Sequence, residues 1–296
     1  MTRPLSIIGA PSSAGAYGPG QEKAPAAFRR HGLVEKLRAA GIDTHDRSDT
    51  PLFRWRPDLT NPMAMNRDAV ADTAERTASL VAAALADGHA ALVLGGDCTV
   101  ELGTVASALR HGTSVGLVYI DFDADLNAPE NSDGALDWTG VAHLLDIPGA
   151  DQRLASLGPR RPMLGASDVL LLATENFTEH EAKDIADRNI TLIPLAEVRR
   201  DPAAAANQAA AWAQKFDTVL VHLDVDVLSF AHFPIAENTR RCDGLRLAEL
   251  GLLLEPLIAL PAWRALTVTE VNPDHAPDEA QAFGELIAML CDVLKP

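Results

Sequence analysis

The stretch Asp121-Phe122-Asp123-Ala124-Asp125-Leu126-Asn127 follows directly on the apolar run Val115, Leu117, Val118, Tyr119 and Ile120. A short apolar run of this kind reads as a strand buried on both faces of a parallel sheet. Alternate residues of a strand project to one side, so three aspartates at spacing two stack like charges on one face unless a cation lies between them. A second run, Val219-Leu220-Val221-His222-Leu223, passes straight into Asp224-Val225-Asp226. One acid-tipped strand reads as a helix cap or a turn former. Two with matched spacing point to a metal site.

On either side of these runs, apolar segments alternate with segments of helical period, the signature of an α/β protein. Strands are expected at Leu5 to Ala10, Ala90 to Leu94, Asp168 to Leu172, Thr191 to Pro194 and Leu266 to Thr269, besides the two acid-tipped ones. Helices are expected at about Pro25 to Ala39, Asp68 to Ala86 (stopped by Gly88), Val100 to Leu109, Thr139 to Leu145, Glu179 to Arg188, Pro202 to Lys215, Leu247 to Ala259 and Asp278 to Val293. The Pro-rich loop from Asp49 to Pro62 does not interrupt the alternation, so a single domain over 1–296 is expected. Ligands of open α/β sheets sit at the carboxyl ends of strands. The strand ends near 98, 121, 224 and 270 should therefore converge, bringing together Cys98, the Asp121, Asp123 and Asp125 triplet, the Asp224 and Asp226 pair, and Glu270. Hard oxygen ligands suit Mn²⁺ or Mg²⁺, and two such ions about 3.5 Å apart can share a hydroxide that attacks a planar carbon.

Composition narrows the classes. Twenty-five basic against 41 acidic residues leave a formal charge of −16, which repels nucleic acid and anionic lipid. No run approaches the roughly 18 apolar residues of a membrane span, and no basic segment followed by an apolar signal core opens the chain, so a cytoplasmic protein is expected. Cys98, Cys242 and Cys291 are too few and too scattered for a disulfide framework or a CxxC zinc site.

With these motifs in place the chain resembles the ureohydrolases, the arginase and agmatinase family. The resemblance runs from Ile8-Gly9-Ala10-Pro11-Ser12 to Glu270-Val271-Asn272-Pro273. Gly95-Gly96-Asp97 stands for the family's Gly-Gly-Asp-His, the triplet for its Asp-Ala-His-x-Asp, and Leu223-Asp224-Val225-Asp226 for its Asp-x-Asp. It implies a three-layer α-β-α sandwich on a mainly parallel sheet, a binuclear manganese site, hydrolysis of a small guanidino substrate, and a homo-oligomer, a trimer or hexamer. By the same resemblance Asp121, Asp125 and Asp224 match ligands of a first ion, and Asp121, Asp224 and Asp226 ligands of a second. Glu270 matches the acid that holds the guanidinium, and Asn127 a residue that touches the amino-acid end of arginine.

The chain departs from the pattern where the family has one histidine ligand per ion. Cys98 stands at the first such position and Asp123 at the second, and Asp137 aligns with the family's histidine proton shuttle. Near Thr174-Glu175-Asn176-Phe177, where the amino group of arginine is read, the match is poor. Two neutral imidazoles and four carboxylates total −4 in the family, whereas five carboxylates and a thiolate total −6 here. That excess should raise the pKa of a bridging water. It also shifts preference towards Mn²⁺, Mg²⁺ or Ca²⁺, with Zn²⁺ favoured if Cys98 ligates as a thiolate; a protonated Cys98 leaves −5 and a single well-occupied ion. His143 and His222 read as packing residues, and Gly95 and Gly96 as a tight turn. The expected activity is a metal-dependent amidinohydrolase for a guanidino compound other than plain arginine. The alternatives are a catalytically impaired homologue with a binding or regulatory role, and a Cys98 nucleophile, for which no base is placed.

Overall fold

Every strand among the described residues pairs in parallel, and the inner pairings have a physical reason in the burial of their residues. The computed structural model describes residues 3–112 and 114–295. Its strands are β1 (Leu5–Gly9), β2 (Thr44–Asp46), β3 (Ala90–Leu94), β4 (Val115–Ile120), β5 (Val169–Thr174), β6 (Thr191–Pro194), β7 (Thr218–Asp224) and β8 (Trp263–Thr269). They form one sheet in the order β2-β1-β3-β8-β7-β4-β5-β6. β1, β3, β4, β5 and β7 are buried at every position. A strand covered on both faces has no polar side, which explains the unbroken apolar runs.

Helices cover both faces. On one side Phe28, Leu33, Leu250, Leu253, Phe283 and Leu286 pack against Ile7, Leu92, Val221 and Val268. On the other Val70, Val81, Leu102 and Val105 pack against Ile8, Val93, Leu117 and Leu220. The result is the expected α-β-α sandwich. No helix among the described residues is long and apolar enough to cross a membrane.

Most elements fall where the sequence places them, and the differences have local causes. The helix expected over 25–39 is two helices, Ala24–Arg30 and Leu33–Ala39, because Gly32 takes φ 81° between them. The short edge strand β2 reads Thr-His-Asp and has no apolar run to announce it. A further helix, Leu195–Arg200, follows β6 directly.

The order of the sheet positions the site. β3, β8, β7 and β4 are consecutive neighbours, so the chain leaving each of them emerges at one rim. After β3 the backbone turns so tightly that a Cβ on Gly96 would lie 1.6 Å from the carbonyl oxygen of Ser12. Gly96→Ala is expected to destabilise the protein by about 1–3 kcal/mol or more, as an overpacked core site with backbone rather than side chain in the way. Chemical denaturation of the variant beside wild type checks this, and an unchanged midpoint rejects the close approach.

Candidate metal centre

At that rim the acid-tipped strands meet. β7 ends in Asp224, and a 3-10 turn over Val225–Val227 carries Asp226. The turn is fixed by the Asp226 N–H donating to Asp224 Oδ1 at 2.6 Å. After β4 the same device recurs, with the Asp123 N–H donating to Asp121 Oδ1 at 2.6 Å. Each strand tip thus uses one carboxylate oxygen to shape its own turn; the other is without a partner at Asp121 and accepts from the Cys98 thiol at Asp224.

The carboxylates converge. Asp121, Asp224 and Asp226 each offer an oxygen within 4.8 Å of the others, and all three side chains are buried. Asp121 Oδ2 and Asp226 Oδ1 are buried without a hydrogen-bond partner. Burial, then repulsion from Asp224, pushes the Asp121 carboxyl well above the ordinary carboxylate range. Burial and Asp226 do the same to Asp224. Asp226 is pushed up to about 7 by burial and by Asp123, with Arg241 opposing. Buried polar atoms are normally satisfied, and three like charges in one pocket are uphill without a cation. These residues fit a divalent ion.

The other expected site residues divide. Asp125, at φ 53°, accepts a hydrogen bond from the Tyr119 hydroxyl at 2.5 Å and lines the cavity beside the cluster. Cys98 is buried, and its thiol donates to Asp224 Oδ2 at 3.3 Å; burial and Asp224 push the thiol well above its usual range. Asp123 turns elsewhere. Both its oxygens lie 2.8 Å from Arg241 Nη2, and the Asn176 side-chain amide donates to the same carboxylate. The Arg241 guanidinium stacks over Phe122 and brings Nε to 4.0 Å from Asp226.

Glu270 follows β8 at φ 61°. Its two oxygens accept from the Cys98 N–H and the Gln21 side-chain amide, each at 3.0 Å. Burial, then Asp224, pushes its carboxyl well up. Asp137 opens a short 3-10 turn whose backbone is tied to Gly15, and burial followed by Asp97 raises its carboxyl strongly. Both face a cavity of about 540 Å³ that Asp125, Asp224, Asp226, Arg240 and Arg241 also line. Asn127 is buried and is not among the described residues that line it.

Arg241 and Gln21 escape a sequence reading because neither has a local signature. Arg241 is 118 residues from Asp123, and Gln21 is 249 from Glu270. The excess negative charge at the two strand tips was the available clue that a basic side chain had to come in.

The Arginase family model matches residues 3–291. The chain belongs to the arginase family. Arginase of Bacillus caldovelox is 27% identical over 92% of this chain and 91% of that protein. The mitochondrial arginase-2 of Homo sapiens is 27% identical over 94% of this chain and 80% of its own. In three dimensions the native structure of the Bacillus caldovelox arginase at pH 5.6 superposes with a TM-score of 0.89, at 26% identity, over 100% of this chain and 99% of that one. As a member of this family of hydrolases the chain is an arginase-like enzyme.

Proposed function

We propose that this protein is a metal-dependent hydrolase that cleaves a carbon–nitrogen bond of a small guanidino substrate. The observation that carries the reading is the buried carboxylate cluster of Asp121, Asp224 and Asp226, with two unpartnered oxygens, at the base of a cavity walled by Glu270. Mn²⁺ suits this all-oxygen set, as Mg²⁺ or Ca²⁺ would. When bound, such an ion would supply the Lewis acidity that lowers the pKa of water and makes it a better nucleophile.

The protein's own groups would do the rest. Glu270, clamped by the Cys98 N–H and Gln21, cannot swing away; a guanidinium entering the cavity would offset its burial, favour the charged carboxylate and be oriented by it. Asp137 lies on another wall, and burial raises its carboxyl, the direction that suits a proton donor to the leaving amine. Asn176, in the segment that matches arginases poorly, is committed to Asp123, which disfavours plain arginine. Exposed Arg240 at the cavity suits a substrate with a carboxylate at its far end, a guanidino acid.

Screening guanidino compounds with Mn²⁺, Mg²⁺, Ca²⁺ and Zn²⁺ for release of urea or a substituted urea tests the proposal. Turnover of at least one supports it, and silence with every metal removes it. Glu270→Gln should lower kcat/KM by about 10–100-fold through loss of one charge-assisted contact. An unchanged kcat/KM takes Glu270 out of substrate binding.

A second reading, a homologue with impaired catalysis and a binding role, is favoured by the Arg241 and Asp123 pairing, which withdraws one expected ligand. It predicts no turnover even at alkaline pH, where a water of raised pKa would recover activity.

A further inference from the structure

We propose that His222 is an imidazole ligand of this centre, oriented by Glu101, and that it forms with Cys98 and Asp121 a second, softer ion position fused to the all-carboxylate one. The inference rests on the metal-centre reading above and adds a donor set to it.

Cys98 Sγ, an oxygen of Asp121 and a ring nitrogen of His222 lie within 4.8 Å of one another, and all three residues are buried. This group and the carboxylate group share Asp121, so one residue sits between the two positions. His222 lies two residues before Asp224 on β7 and therefore on the same face of the sheet, one pleat below the rim. Its Nε2 is 3.3 Å from the Thr269 hydroxyl, which is itself 3.3 Å from Cys98 Sγ. Nε2 is thus the nitrogen on the Cys98 side.

The other nitrogen explains a second oddity. Nδ1 lies 3.5 Å from Glu101 Oε2, on the helix Glu101–His111. Glu101 is 1% exposed, His222 is 0% exposed, and neither Nδ1 nor either Glu101 oxygen has a hydrogen-bond partner. A buried carboxylate set beside a buried imidazole, both unsatisfied, is costly in isolation. A carboxylate behind the far nitrogen of a histidine is the arrangement that fixes the tautomer of a metal ligand. With the proton on Nδ1 facing Glu101, the Nε2 lone pair faces Cys98 and Asp121.

The ring is also held flat. It stacks on Tyr119 with centroids 4.0 Å apart and planes at 5°, and the Tyr119 hydroxyl in turn holds Asp125. A sulfur, a nitrogen and an oxygen donor favour Zn²⁺ or Co²⁺, whereas Asp121, Asp224 and Asp226 favour Mn²⁺ or Mg²⁺. Glu101 touches neither ion nor substrate and is a positioning residue.

Zinc K-edge absorption on the wild-type protein loaded with one equivalent of Zn²⁺ should show one sulfur scatterer and the outer-shell scattering of an imidazole. Co²⁺ should give a thiolate-to-cobalt charge-transfer band, and His222→Gln should weaken Co²⁺ binding by about 10–100-fold or more while leaving Mn²⁺ binding within a few-fold. Glu101→Gln should change the cobalt spectrum and weaken Co²⁺ binding by about 10-fold. An oxygen-only zinc spectrum, or Co²⁺ binding indifferent to His222→Gln, overturns the inference and leaves the carboxylate centre standing. A protein that takes up no divalent ion removes the metal-centre reading itself. The zinc measurement needs no variant, so it decides even if His222→Gln does not fold.

Discussion

Asp121→Asn protein should bind a divalent ion more than about 100-fold more weakly than wild type, and without metal it should melt at a higher temperature than wild type. Both effects come from one geometry. Asp121 belongs to both groups of converging donors, and its Oδ2 has no partner of its own. Losing it removes an oxygen from every ion position the rim offers. The same exchange removes a buried carboxyl whose ionisation is opposed by burial first and by Asp224 second. The amide oxygen can still accept the Asp123 N–H, so the turn survives. Titration calorimetry with Mn²⁺ and thermal melts in chelator measure the two effects. Unaltered affinity, or a lower melting temperature in chelator, would contradict this account of the cluster.

The second large effect is the pH dependence of the metal-free protein. Asp121, Asp224 and Asp226 all hold their protons more tightly folded than unfolded. The native state therefore binds more protons than the unfolded state above the ordinary carboxylate range, and stability must fall as pH rises. For Asp226, whose carboxyl is pushed up to about 7, the loss begins near pH 4, where an unfolded aspartate ionises, and runs to about 7. Forcing that one group to ionise costs on the order of 4 kcal/mol. Asp121 and Asp224, raised in the same direction, add to the fall. A bound divalent ion reverses the sign of the field, so Mn²⁺ should raise the melting temperature little at pH 5 and by many degrees at pH 8. Melts from pH 5 to 8 with chelator or Mn²⁺ test this. A chelated protein that gains stability with pH refutes it.

The sequence carried the architecture where residue pattern and burial coincide. The runs at 115–120 and 218–224 are apolar because helices cover both faces of the sheet, and Gly88 ends the helix Arg67–Ala86 because it takes φ 79°. Legibility failed where the cause is tertiary. β2 is three residues at a sheet edge, held by pairing with β1 and not by its own composition. The site was legible as strand tips, since Asp121, Asp224, Asp226 and Glu270 each end or follow an apolar run. It was not legible as partners. The apparent likeness of Asp121, Asp123 and Asp125 hides three environments: one carboxylate in the cluster, one on Arg241, one on Tyr119. Spacing cannot distinguish them, because the side chains that do come from other strands and loops.

The central claim is that buried carboxylates from β4 and β7 hold a divalent cation at the rim of the sheet. Anomalous diffraction from crystals equilibrated with saturating Mn²⁺ tests it most directly. The account predicts a manganese peak within ligand distance of Asp121, Asp224 and Asp226. A structure with those three carboxylates in place and no manganese between them would contradict it.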